Sequence, residues 1–120
     1  MFRFRNWKIY NEARKLRMEV HKKLFPKIPE KEKFCLKPQI QRAVDSIILN
    51  IAEGSYRKSD KDLAHFLNQA ISSLYEFVAT LDLLLDSSYI DGGEHNYFCE
   101  KSENLARQIS AFSRYLKSDK

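Results

Sequence analysis

From residue 63 to residue 85 apolar side chains recur in an alternating four-three rhythm, at Leu63, Leu67, Ala70, Leu74, Phe77, Leu81 and Leu84. That rhythm fits the 3.6-residue turn of an α-helix and excludes the two-residue alternation of a half-buried strand. Phe66, Ile71, Val78 and Leu85 widen the stripe, and a stripe this wide has more than one neighbour to cover. Ser59 is a capping residue type, with Asp60 and Asp62 near the positive end of the helix dipole. The helix is expected over about 60–87, roughly 28 residues and about 42 Å long.

Three further helices supply its neighbours. Ile9, Ala13, Leu16, Val20 and Leu24 predict a helix over about 7–25 that ends at Pro26 and Pro29, because proline offers no amide and obstructs the preceding turn. The following "PKIPEKEKFCLK" reads as a loop, with Phe34 and Leu36 tucking it onto the core. Ile40, Ala43, Val44, Ile47 and Ile51 predict a second helix over about 38–53, with Pro38 in its first turn. Gly54 then reads as its stop, in the left-handed conformation that glycine adopts freely. After "SSYIDGG", Phe98, Leu105, Ile109, Phe112 and Leu116 mark a fourth helix over about 94–117. The expected fold is all-α, an antiparallel up-down four-helix bundle forming a single domain over 1–120. No apolar run is long enough for a membrane span or signal peptide. Cys35 and Cys99 lack a partner motif and read as reduced thiols of a cytoplasmic protein.

The stretch "AEGSYRKS" at the second helix's end raises the question of phosphate binding. A phosphate-cradling loop needs several glycines after a strand, and a Gly-Lys-Ser/Thr ending; this one has a single glycine and neither feature. Arg57 and Lys58 precede a helix start, but Asp60 and Asp62 already occupy the favourable potential there, so a solvated turn is the expectation.

Charge is divided unevenly. Residues 1–58 hold fifteen Lys/Arg against six Asp/Glu, or +9, and residues 59–120 hold six against ten, or −4, which together make the chain's +5. A basic face on the N-terminal half suits a polyanion. On the first helix Arg14, Arg17 and His21 fall beside the apolar stripe, and Lys8, Lys15 and Lys22, seven apart, form a row on the other flank. Arg3, Arg5, Lys23 and Lys27 extend this surface. Trp7 is expected to pack at the bundle's end or at a subunit contact; with Tyr10 it is also placed to stack on unpaired bases.

Two other constellations carry less. Arg42, Ser46, Asn50 and Glu53 form a polar row on the second helix; with no histidine on that helix to activate Ser46, a satisfied structural network is expected rather than a catalytic site. Asp62 and His65 match half of a carboxylate-bundle metal site, but the second Glu-x-x-His pair is missing, and His21 and His95 show no ligand spacing. No metal, cofactor or catalytic residue is expected.

The stretch "FCLKPQIQRAVDSIILNIAEGSYRKSDKDLAHFLNQAISSLYEFVATLDLL" resembles the core of the four-helix-bundle family named for proteins encoded in intervening sequences of 23S ribosomal RNA genes. The resemblance is carried by Leu36, Gln39, Ile40, Arg42 and Ala43; by Ser46, Ile47, Asn50, Ile51, Ala52, Glu53 and Gly54; by Arg57 and Ser59; and by Phe66, Leu67, Ala70, Ser73, Leu74 and Glu76. "FRNWKIYNEARKL" resembles the family's first helix, which extends the match over residues 2 to about 90. One departure is Ile48, where the family often has proline, and its absence should leave the second helix straighter. The resemblance implies a homopentameric ring with a central channel. It also implies kinship with the accessory variability determinant of diversity-generating retroelements, a basic pentamer associated with a reverse transcriptase and its template RNA.

Fivefold repetition would join the basic rows into a belt. The expected function is therefore a non-enzymatic basic scaffold that binds nucleic acid, RNA or cDNA, through its phosphates, using Arg3, Arg5, Lys8, Arg14, Lys15, Arg17, Lys22 and Lys23, with Arg57 and Lys58. The alternative is a protein-interaction module whose basic surface docks an acidic partner.

Overall fold

The computed structural model describes residues 1–118, and among them the chain is entirely helical, without a strand. Four long helices, α1 (Lys8–Glu19), α2 (Leu36–Tyr56), α3 (Asp60–Asp86) and α4 (Gly92–Ser118), form a bundle measuring 48 × 23 × 20 Å. Helix α3 lies against both α2 and α4, and α1 closes the bundle against the same two helices. One apolar core runs through it, with Leu16, Ile47, Leu67, Phe77, Phe98 and Ile109 among its buried members.

The helix boundaries follow from local chemistry. α1 continues as a π-helical turn over Val20–Leu24 before a 3-10 turn at Phe25–Lys27. Pro26 has no amide to offer the Lys22 carbonyl, so the α-helical ladder cannot continue, yet Val20 and Leu24 remain fully buried. α3 starts where the sequence implies, with the Asp62 amide donating to Ser59 Oγ at 3.1 Å. Its far end closes by bonds from the Tyr89 amide to the Leu84 carbonyl (3.0 Å) and from the Ser88 amide to that of Leu85 (2.9 Å). Ser88 adopts the left-handed conformation this closure requires, at φ 61°, although glycine would adopt it without a Cβ penalty. α4 begins earlier than expected because Asp91 and Glu94 cap each other. The Glu94 amide donates to Asp91 Oδ1 at 2.8 Å, and the Asp91 amide to Glu94 Oε1 at 2.9 Å.

Two expectations need correction. Gly54 is neither a helix stop nor left-handed: α2 runs on to Tyr56, and no glycine among the described residues has positive φ. Its glycine answers a close approach instead, since a Cβ there would lie 2.8 Å from Phe66 Cβ and 3.0 Å from Leu63 Cδ1. Phe34 does not tuck the connecting loop onto the core, being 85% exposed. Ile28 is buried in its place, and Tyr89 Oη donates to Glu32 at 2.7 Å to tie the loop down. With Ile48 where the family often has proline, α2 is unbroken through all 21 of its residues.

Candidate functional site

The cations of the N-terminal half separate into a free set and a paired set. Arg5, Lys8, Lys15, Lys22 and Lys58 are exposed, and among the described residues none of their side chains has an ion pair or hydrogen bond. Lys8 and Lys15 stand two helical turns apart, about 10 Å, on one flank of α1. Lys15 lines a shallow groove between α1 and α4 that also holds Glu12, Glu19 and Lys101. Arg14 is exposed on the opposite flank with its guanidinium 5.5 Å from the Tyr10 ring centre.

Lys31 and Arg42 are likewise exposed and unpaired among the described residues. Lys37 lies 5.9 Å from the Phe25 ring centre, and the other cations of this half face carboxylates or carbonyls. Arg17 Nε donates to Asp45 Oδ1 at 2.6 Å, joining α1 to α2, while Gln41 donates to Asp45 Oδ2 at 2.9 Å. Lys23 reaches Glu19 at 3.1 Å and lies 4.6 Å from the Tyr97 ring centre. Burial pushes the Glu19 carboxyl up, but hydrogen bonds from Tyr97 and Lys23 outweigh it and hold the group below the usual carboxylate range. Arg57 pairs with Glu53 at 3.2 Å and sits 4.6 Å from the Phe66 ring centre. Arg3 donates to the Ser55 carbonyl at 3.0 Å, which brings the N-terminal turn to the last turn of α2. These ion pairs are substantially exposed, so each contributes a few tenths of a kcal/mol in water.

Lys58 lines an open groove of about 700 Å³ with Ser59, Lys61, His65 and Asn68. Ser59 already takes the Asp62 amide there. Trp7 is half-buried and meets Phe112 edge-on at 4.8 Å, which is the bundle-end packing its position implied. His21 rests against Phe25 at 4.3 Å.

The polar row on α2 is only partly a network. Ser46 Oγ lies 2.8 Å from Ser73 Oγ on α3, and Asn50 donates to the Ser46 carbonyl and hydroxyl at 2.9 and 3.0 Å. Arg42 is exposed and outside it, and Glu53 turns to Arg57. Leu49 stands 64% exposed between two shallow grooves, one with Arg42, Asn50 and Glu53, the other with Tyr10, Arg14 and Arg17.

Several partners were invisible to sequence reasoning. The cross-helix partners of Asp45 and Glu19 had no local signal, since Arg17 and Tyr97 lie 28 and 78 positions away. A third case had a signal that was overlooked. His95 and Cys99 are four apart on α4, and Asp82 of α3 reaches them, with all three ligand-type atoms within 4.8 Å of one another. His95 thus has Cys99 as a neighbour four residues on, whereas Asp62 and His65 join no such cluster among the described residues.

Nucleophilic chemistry finds little purchase in this geometry. The Ser46 hydroxyl meets another hydroxyl and an amide rather than a base. Burial, with the Asp82 and Glu103 charges, pushes the Cys99 thiol up, away from thiolate. Among the described residues no helix is long and apolar enough to cross a membrane.

No curated protein matches the chain. A crystal structure at 1.70 Å resolution of a protein of unknown function, from the S23 ribosomal protein family of Bacteroides thetaiotaomicron, superposes with a TM-score of 0.78 at 22% identity. The superposition covers 88% of this chain and 97% of that one, so the fold is shared. The sequence profile of the 23S rRNA-intervening sequence proteins matches residues 5–111. With nine-tenths of its length inside that profile, the chain belongs to the 23S rRNA-intervening sequence protein family.

Proposed function

We propose that this protein is a non-enzymatic basic scaffold: an antiparallel up-down bundle, assembled as a homopentameric ring, that binds RNA or cDNA through its phosphates. The observation that carries the reading is the set Lys8 and Lys15 on a flank of α1 with Lys22 in the π-helical turn that follows, all exposed and without a carboxylate partner. Arg5 and Lys58 add free charge, and Arg14 adds a cation that no carboxylate neutralises. Arg17, Lys23 and Arg57, which already have anionic partners, contribute less than the sequence implied. No base-reading motif accompanies the cations, so binding is non-specific in sequence. Exposed Leu49 and Met18 on α2 and α1 supply apolar surface for contacts between subunits. In a retroelement such a ring would hold template RNA and reverse transcriptase together, supplying position rather than chemistry.

Binding of random-sequence single-stranded RNA across a salt series tests the reading. Five phosphate contacts per chain, one each for Arg5, Lys8, Lys15, Lys22 and Lys58, predict a slope of log K on log salt of about −3.5, or roughly a hundredfold loss between 50 and 200 mM salt. A flat slope, or no binding at low salt, overturns the proposal in favour of a module that docks an acidic protein. Light scattering tests the ring, whose expected mass is that of five 14.2 kDa chains. A monomer at micromolar concentration would remove it.

A further inference from the structure

The α3–α4 turn carries a cluster that the nucleic-acid reading does not use. His95 and Cys99 lie on one face of α4, four residues apart. Asp82 comes from the last turns of α3 and places Oδ1 2.7 Å from His95 Nε2. Cys99 Sγ is 3.6 Å from His95 Nε2 and 3.8 Å from Nδ1. A thiol hydrogen cannot point along both ring lone pairs, so the sulfur is not placed as a simple hydrogen-bond donor to one nitrogen.

The ligand-type atoms of Asp82, His95 and Cys99 all lie within 4.8 Å of one another, close enough to share a metal ion after side-chain turns. With Zn–S about 2.3 Å and Zn–N about 2.0–2.1 Å, a tetrahedral ion separates its sulfur and nitrogen ligands by about 3.6 Å. The Sγ···Nε2 distance of 3.6 Å has that value, but with Nδ1 at 3.8 Å the sulfur lies beside the ring, so the His95 imidazole must turn to aim a nitrogen at an ion shared with Cys99. Oxygen and nitrogen ligands of such an ion stand about 3.4 Å apart, so Asp82 would retreat by less than an ångström from its present 2.7 Å contact. It is free to do so, its side chain being 60% exposed. Sulfur with imidazole selects zinc-class ions over magnesium and calcium, which prefer oxygen ligands.

We propose that Asp82, His95 and Cys99 bind a divalent transition metal of the zinc class, with water in the fourth position, pinning the start of α4 to the end of α3. This site stands apart from the lysine row of α1 and does not depend on the proposed function.

The test is titration of the reduced, chelator-stripped full chain with Co²⁺, in a Cys35→Ser background that removes the other, exposed thiol. The expected result is a thiolate-to-cobalt charge-transfer band saturating at one ion per chain, abolished by Zn²⁺ but not by Mg²⁺. The band should vanish in Cys99→Ser, and affinity should fall by about tenfold or more in Asp82→Asn and in His95→Ala, as for the loss of a ligand or its support. Asp82 is exposed and His95 only half-buried, so those two variants keep the test decisive if Cys99→Ser fails to fold. Absence of the band, its survival in Cys99→Ser, its displacement by Mg²⁺, or unchanged affinity in both Asp82→Asn and His95→Ala overturns the site.

Discussion

The seam between α2 and α3 and the outer flank of α1 are built on opposite terms. Along the seam, Ile47, Ile51, Leu63 and Leu67 are buried to 1% exposure or less, Gly54 admits Phe66 against its bare Cα, and Ser46 meets Ser73 across the gap. On the flank, Lys8, Lys15 and Lys22 touch no partner. The seam is determined by what the chain does to itself, because a packed interior penalises a single misplaced methyl group. The flank is left undetermined by folding, so its charges are free to vary without cost to the core. Stability should therefore respond to changes in the seam and hardly at all to changes on the flank.

The largest expected effect tests the seam at its tightest point. Gly54→Ala gains about 1 kcal/mol of helix propensity, while the overpacking it introduces costs about 1–3 kcal/mol. The new Cβ would be 2.8 Å from Phe66 Cβ, an atom tied to its own backbone and unable to swing away. Urea denaturation should show a net loss of up to about 2 kcal/mol. A stabilised variant would mean that α2 and α3 do not approach as closely as described, and the contrast would lose its sharpest element.

Next comes the hydroxyl pair that crosses the seam. Ser46→Ala and Ser73→Ala in a double-mutant cycle should return a coupling of about 1 kcal/mol. The single Ser73→Ala change stays mild because Asn50 still donates to Ser46 and leaves no hydroxyl stranded. Additive single effects would show that apolar burial alone holds the seam.

These tests fall on the part of the fold that the amino-acid order made legible. Four apolar stripes at helical spacing yielded four helices, because burial imposes the same 3.6-residue period whichever helix lies opposite. The Ser59 cap was legible because its bond spans three positions. Gly54 shows where such reading ends: a glycine near a helix terminus has two explanations, left-handed backbone or close packing, and only the position of Phe66 decides between them. The candidate interface was legible as a list of cations and not as a surface. Pairing of Arg17 with Asp45, or of Tyr97 with Glu19, depends on which helix faces which. Spacing alone could have exposed His95 with Cys99, and Asp91 with Glu94, since each pair lies within one helical turn.

A smaller effect is expected where the seam's rigidity gives way to surface chemistry, at the start of α4. Lys27 pairs with Glu94 at 2.7 Å, and this contact, ahead of the Asp91 amide, holds the Glu94 carboxyl below its ordinary range. A depressed carboxyl stabilises the fold above its unfolded-state pKa, about 4.3 for glutamate, and the contribution is lost as pH falls through the lower folded value. Glu94→Gln preserves an oxygen for the cap and removes the charge. Its denaturation midpoint should lie slightly below that of the parent at pH 7 and converge with it in acid. An equal offset at both pH values would assign the effect to the cap alone.

The smallest effect on stability belongs to the flank, and there the contrast is most exposed to failure. Replacing Lys8, Lys15 and Lys22 together with glutamine removes three exposed charges that form no ion pair or hydrogen bond among the described residues. Solvated side chains without partners contribute within about 0.5 kcal/mol each, and relief of repulsion along one helix face works in favour of the variant. The urea midpoint should scarcely move. RNA binding should change strongly, because three fewer phosphates neutralised per chain flatten the salt slope by about 2. A triple variant that unfolds early would show the row to be part of the fold's own electrostatics, while one that keeps both its stability and its RNA affinity would leave the row without a role in either. Only unchanged stability joined to lost affinity is consistent with a surface that folding leaves free for a polyanion.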